Sequence, residues 1–145
     1  MAEFKWAGQV FVKAFSKEID FDSDTIKLML CTSSYVPNQD THIYKDVSVT
    51  NEVTGDGYTA GGVTLTGKTI AYDAATNRTK LDANDVVING LTLDNPANVA
   101  VIYDDTPAAN KPILGYAVFD SPMPCNGGTF TLTFDSAGFL RVTAS

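Results

Sequence analysis

Asn98-Val99-Ala100-Val101-Ile102-Tyr103 and, across a polar stretch, Ile113-Leu114-Gly115-Tyr116-Ala117-Val118-Phe119 are the two runs on which the fold class turns. Each is short, apolar and rich in β-branched or aromatic side chains, the pattern of a buried strand. The first is broken before it at Asn95-Pro96 and ended by Asp104-Asp105-Thr106-Pro107, which leaves no room for a helix. The second reads as its antiparallel partner across the intervening loop.

Working outward, the same alternation of strand-like runs and turn signals continues in both directions. Thr25 to Cys31 is a strand entered through Asp22-Ser23-Asp24, and Ser33 to Asp40, with Pro37-Asn38, is a loop. Asp46 to Val53 alternates only weakly, at Val47 and Val49, and reads as either a strand or an irregular segment. Glycines at 55, 57, 61 and 62 make the segment around Tyr58 a hinged loop. Val63 to Thr66 begins another strand, and Lys68–Tyr72 and Arg78–Leu81 flank a hairpin loop at Asp73 to Asn77. Asp85 to Ile88 is expected to end in a tight turn at Asn89-Gly90, with Leu91 to Leu93 following. Pro122 to Gly128 reads as a loop, and Thr129–Phe134 with Phe139–Thr143 as a last hairpin around Asp135 to Gly138.

The expectation is an all-β protein: an antiparallel β-sandwich or jelly-roll-like barrel of about eight strands. Residues 1–18, in which Phe4, Ala7, Phe11, Ala14 and Phe15 share a helical face while Val10, Val12 and Ala14 alternate, form a short N-terminal arm or helix. Residues 19–145 form a single β-sandwich domain.

Composition agrees. Fourteen of the 17 acids are Asp, against three Glu, and there are 17 Thr. Asp favours turns and caps over helix interiors, and Thr suits strands. At 145 residues and 44% apolar, the chain buries enough surface to fold without a disulfide or metal. A net charge of -7 opposes non-specific nucleic-acid binding, and no apolar run reaches the length of a membrane span. The opening MAEFKWAGQVFVKAF lacks the basic and apolar regions of a signal peptide. Without secretion, the sequon Asn77-Arg78-Thr79 carries little weight, and Cys31 and Cys125 read as reduced thiols made in a cytosol.

Several motifs imitate chemistry. Asp20-x-Asp22-x-Asp24 opens like a calcium loop, but Thr25 and Cys31 stand where the required Gly and Glu should be. The lone His42 has no partner suggested by spacing, and reads as an exposed loop residue. Asp104-Asp105 and Asp120 are frequent-residue coincidences rather than a glycosidase pair. Gly62 to Thr69 matches the phosphate-loop pattern letter for letter, yet Val63 and Leu65 alternate with Thr as a strand would, and no helix-length segment follows Lys68. No catalytic residue, metal ligand or cofactor is expected. Phe4, Trp6 and Phe11 remain as candidate partner-binding residues, since aromatics on a terminal segment either fold onto their own core or anchor in a partner.

An ordered set of stretches then carries a resemblance. Glu18-Ile19-Asp20-Phe21-Asp22-Ser23-Asp24-Thr25-Ile26-Lys27-Leu28 leads into Cys31-Thr32-Ser33-Ser34-Tyr35-Val36-Pro37-Asn38-Gln39-Asp40. Asn51-Glu52-Val53-Thr54-Gly55-Asp56-Gly57-Tyr58-Thr59-Ala60-Gly61-Gly62 is the most specific block, followed by Tyr72-Asp73-Ala74-Ala75-Thr76-Asn77, Ala100-Val101-Ile102-Tyr103-Asp104-Asp105-Thr106, Ile113-Leu114-Gly115-Tyr116 and the C-terminal Gly127-Gly128-Thr129-Phe130. This ordered set, from about residue 18 to 143, resembles a family of small proteins from the structural gene clusters of tailed bacteriophages. The resemblance implies a virion component, and a capsid decoration or cement protein fits best. Such a protein is made in the host cytoplasm, binds the major capsid protein on the outer head surface, and self-associates as a homo-oligomer, with no nucleic acid or membrane partner. A tail or baseplate subunit is the structural alternative. A carbohydrate-binding adhesion module would need Tyr35, Tyr44 and Tyr58 exposed at one loop end.

Overall fold

A computed structural model describes residues 3–144. In chain order the elements are β1 (Lys5–Trp6), α1 (Val10–Phe15), β2 (Ile26–Cys31), α2 (Lys45–Ser48), β3 (Gly55–Asp56), β4 (Val63–Thr64), β5 (Thr69–Asp73), β6 (Arg78–Asp82), β7 (Val86–Leu93), β8 (Ala97–Asp104), β9 (Ile113–Met123), β10 (Asn126–Leu132) and β11 (Leu140–Thr143). Among the described residues the protein is thus mostly β, and eight of its eleven strands are four residues or longer.

The strands form three antiparallel sheets, β1-β9-β8-β2-β4, β10-β7-β3 and β11-β6-β5, in a sandwich-like arrangement around one core. β8 is the centre of the largest sheet. It pairs with β2 from Ile26↔Asp104 to Cys31↔Val99 on one side and with β9 on the other. Seven of its eight residues are buried, with no in-out alternation, because both faces are covered. The apolar run read first in the sequence therefore occupies the most enclosed strand, and Ile113–Val118 is its antiparallel neighbour. The β5–β6 hairpin also forms where expected, with Asn77 at positive φ in its loop.

Three local expectations are overturned. Asn89-Gly90 is not a chain reversal: β7 runs straight through it. Opposite β10, the pairs Phe130↔Ile88 and Gly128↔Leu91 leave an extra residue on β7 at this point, with Gly90 at φ 61. This is a β-bulge. Its effect is to shift the side-chain phase, so that Val86, Ile88, Leu91 and Leu93 all face the core although 88 and 91 are an odd number apart. A second irregularity, at Gly127 between Asn126↔Thr92 and Gly128↔Leu91, restores the register on β10.

The expected last hairpin does not form either. β10 pairs with β7, and β11 with β6. β6–β7 and β10–β11 thus run as one bent two-stranded ribbon whose halves belong to different sheets. At the corner, the Asp85 carboxylate accepts the Phe134 N–H at 2.9 Å, and Leu81 O accepts the Phe139 N–H at 2.9 Å. Pairing that continues across the corner satisfies more backbone than a local hairpin would. Finally, Pro122–Gly128 is not a loop throughout, since β9 runs to Met123 and β10 begins at Asn126; the Asp46–Val53 segment, read as a strand or an irregular stretch, opens with the single helical turn α2.

The N-terminal segment is part of the sheet. β1 pairs with β9 (Lys5↔Tyr116, Trp6↔Gly115), and the short helix α1 follows with Val10 in the core. The first two residues of the expected arm lie outside the described residues.

Candidate functional site

Phe4, Trp6 and Phe11 are positioned by β1 and α1. The Phe4 ring packs edge-on against Phe134 and Phe139, at 5.8 and 6.0 Å between centroids. Phe134 and Phe139 lie 4.8 Å apart, and Phe21 joins Phe139 at 6.1 Å. Phe4 is thereby turned inward. The Trp6 indole donates its N–H to Arg141 O of β11 at 2.8 Å, and its ring lies 4.9 Å from Phe11. The geometry brings Trp6 and Phe11 together and separates them from Phe4, which belongs to the aromatic cluster at the sandwich end. What the segment leaves to solvent is a ridge on α1: Phe11 at 37% exposure, Val12 at 55% and Phe15 at 88%. Phe15 shares the helical pattern of Phe11, and it is its exposure that sets it apart as a contact residue.

The glycine-hinged block has a different task. Glu52 accepts the Tyr58 O–H at 2.8 Å and the Gly61 N–H at 2.7 Å through one carboxylate oxygen. Tyr58 in turn accepts the Leu30 N–H at 3.1 Å, and Tyr103 donates to Gly61 O at 2.6 Å. The loop is therefore bolted to β2 and β8. Gly62, at φ 91, passes so close to β2 that a Cβ would sit 2.0 Å from Leu28 O. Only glycine fits there, for both space and backbone conformation. Burial, opposed by the Leu30 N–H and reinforced by Glu52, raises the Tyr58 phenol far above its ordinary value. Burial likewise pushes the Cys31 thiol up to about 12, with Glu52 adding to it. A thiol so displaced is a poor nucleophile. Cys31 is buried and Cys125 half-buried, and both are free.

The imitated phosphate loop is a strand start. Val63–Thr64 pairs with β2, Thr69 opens β5, and the Lys68 ammonium donates to the carbonyls of Phe21 (2.8 Å), Asp22 (3.4 Å) and Asp24. That lysine caps the turn before β2. Within the same turn, Asp20 Oδ1 accepts the Ser23 N–H and Asp24 Oδ2 accepts the Asp20 N–H. These acids shape the turn, and among the described residues no cluster of three or more His, Cys, Asp or Glu has the arrangement to hold a metal ion.

Asp104, at the end of β8, is the one buried charged residue described. Its Oδ1 accepts the Thr106 N–H at 3.0 Å, while Oδ2 has no partner. Burial, together with the neighbouring Asp24 carboxyl, raises it to about 7. Asp105, next along, bridges Lys27 at 3.1 Å and Lys111 at 3.0 Å. Burial pushes Asp105 up, and the two ammonium groups more than offset this and hold it below its usual range.

His42 is half-buried rather than free in solvent. Its ring stacks on Tyr35 at 5.6 Å, and Nδ1 lies 2.9 Å from the Tyr35 hydroxyl and 3.2 Å from the Asn38 nitrogen, within hydrogen-bond distance of both. Tyr35 is buried, Tyr58 is tied to Glu52, and Tyr44 reaches Glu18 at 3.3 Å. The three tyrosines present no shared exposed platform for a sugar. The Asn77 side chain is engaged too, accepting from the Tyr72 hydroxyl at 3.0 Å.

No family model, curated protein or solved structure matches the chain.

Proposed function

We propose that this chain is a non-enzymatic structural protein of a tailed-phage particle, most specifically a decoration subunit that binds the major capsid protein on the outside of the head. The observation that carries the reading is the use made of the Asn51–Gly62 block. The part of the chain that most resembles the phage family is the part whose polar groups brace a loop against the central sheet. Lys68, Asp105 and His42 are likewise engaged in holding loops. Side chains committed in this way suit a rigid scaffold presented in many copies, where each added contact stabilises the shell through multivalent attachment.

The test is to separate purified heads from tails and quantify the chain in each by mass spectrometry. Many copies per head support decoration. A few copies confined to tails transfer the role to tail or baseplate assembly, and absence from both overturns the virion reading. Within the N-terminal segment, the α1 ridge of Phe11, Val12 and Phe15 is the part free to meet a partner. Phe15→Ser is expected to weaken head binding if that ridge is the contact; undiminished binding removes the ridge from the account.

A further inference from the structure

Among the sheet edges, β5 stands out. The edges at β1, β3 and β4 are two residues long, and β10 is interrupted by Gly127 and Gly128. The outer side of β11 is engaged by Trp6, whose indole N–H takes Arg141 O. β5 is five residues, Thr69-Ile70-Ala71-Tyr72-Asp73, in unbroken register with β6, with no Gly, Pro or bulge. Its other side is open: among the described residues its backbone bonds only to β6. Such an edge is a template for another strand.

Ile70 and Tyr72 share one face and are 48% and 56% exposed. On that face Ile70 continues the row Leu140–Leu81, and Tyr72 the row Val142–Thr79. Beside Ile70 lies a groove of about 360 Å³, walled by Ala14, Lys17, Ile19, Asp20, Phe21 and Asp22.

We propose that β5 is a self-association edge, pairing antiparallel with β5 of a second copy about a two-fold axis through Ala71 to make a continuous six-stranded sheet. The argument for a second copy is complementarity about that axis. Ala71 meets Ala71, Thr69 meets Asp73, and Ile70 meets Tyr72, so no like charges are opposed and both apolar residues gain an apolar cross-strand neighbour. The chain carries a net charge of -7, yet this sheet is close to charge balance, with three cations (Arg78, Lys80, Arg141) and two acids (Asp73, Asp82). The proposal gives a surface to the self-association named above. It is tested on the purified chain without particles, so its failure and that of the virion reading are distinguishable.

Sedimentation of the full chain from micromolar to near-millimolar concentration is expected to show a reversible dimer. Ile70→Lys and Tyr72→Lys are each expected to weaken it by about tenfold or more, with thermal unfolding and far-UV spectrum kept, because edge charges block strand addition. Ala71→Cys is expected to give a disulfide-linked dimer on mild oxidation that the wild-type chain does not. Directly opposed residues on paired strands place their Cα atoms about 4.5–5.5 Å apart, within disulfide reach. A strictly monomeric chain, an oligomer indifferent to both lysine substitutions, or Ala71→Cys that cross-links no more than wild type would each overturn the proposal.

Discussion

Asp104 illustrates how an enclosed position reverses a carboxyl group's ordinary pH behaviour. Unfolded, it titrates near 3.8; folded, burial and the Asp24 carboxyl move it to about 7. The native state holds the proton more tightly, so this contribution is fully present below the unfolded value and is lost as pH rises through about 7. Asp46, lowered chiefly by the Lys111 N–H, and Asp73, lowered chiefly by Thr76, act in the opposite sense. Their stabilisation is present above the ordinary carboxyl value and is lost as pH falls through their lowered ones. Asp104→Asn keeps the acceptor for the Thr106 N–H and removes the charge. It is expected to raise the melting temperature at pH 8 by about 5 °C and by clearly less at pH 5. Calorimetry at the two pH values checks this; equal shifts would show that ionisation is not the cause. At Gly62, alanine would place its Cβ against Leu28 O. Gly62→Ala is expected to cost about 3 kcal/mol or more, read as a fall in the urea midpoint. Gly90 has open space around it, and Gly90→Ala there bears only the cost of its positive φ, about 1 kcal/mol.

Among the elements, β7 depends on one inserted residue. The bulge at Asn89-Gly90 is what turns Leu91 and Leu93 inward after Val86 and Ile88. Deleting Gly90 would send Leu91 and Leu93 to the solvent face. The expected outcome is loss of cooperative unfolding and of dispersed NMR signals, whereas Gly90→Ala keeps both. β1 is short but tied at three points, through its pairing with β9, the Trp6–Arg141 hydrogen bond and the Phe4 cluster. Trp6→Ala is expected to destabilise the fold by about 2–3 kcal/mol, and Phe15→Ser by no more than about 0.5 kcal/mol. Denaturant titration separates them. A large effect at Phe15 would mean that α1 packs more deeply than its exposure indicates.

For the whole molecule, the organising contacts join distant parts of the chain: β2 with β8, β7 with β10, and β6 with β11. Loops that long must close before their contacts form, so refolding is expected in milliseconds to seconds rather than microseconds. Stopped-flow fluorescence from the single Trp, Trp6, reports it directly. Its indole lies between β11 and α1, so its signal follows docking of the N-terminal segment onto the finished sheet.

The amino-acid sequence by itself determined the class and most of the strands. Runs such as Asn98–Tyr103 and Thr25–Cys31 are too apolar, too β-branched and too sharply bounded to be anything else, and the β5–β6 loop is specified by its own residues. It also showed that the phosphate-loop letters lack a helix to follow them, and Lys68 caps the Phe21–Asp24 turn instead. Only the tertiary structure decided what depends on distant partners. Asn89-Gly90 is an equally good turn or bulge until β10 lies opposite it. The last two strands look like a hairpin until β6 and β7 offer a longer ladder across the corner. The residue types leave Phe4 and Trp6 free either to pack on their own core or to anchor in a partner, and contacts with β9, β11 and Phe139 hold them half-buried against the core. Local chemistry sets what a segment can become; the hydrogen bonds and buried area that select among those outcomes are supplied by residues far away in the chain.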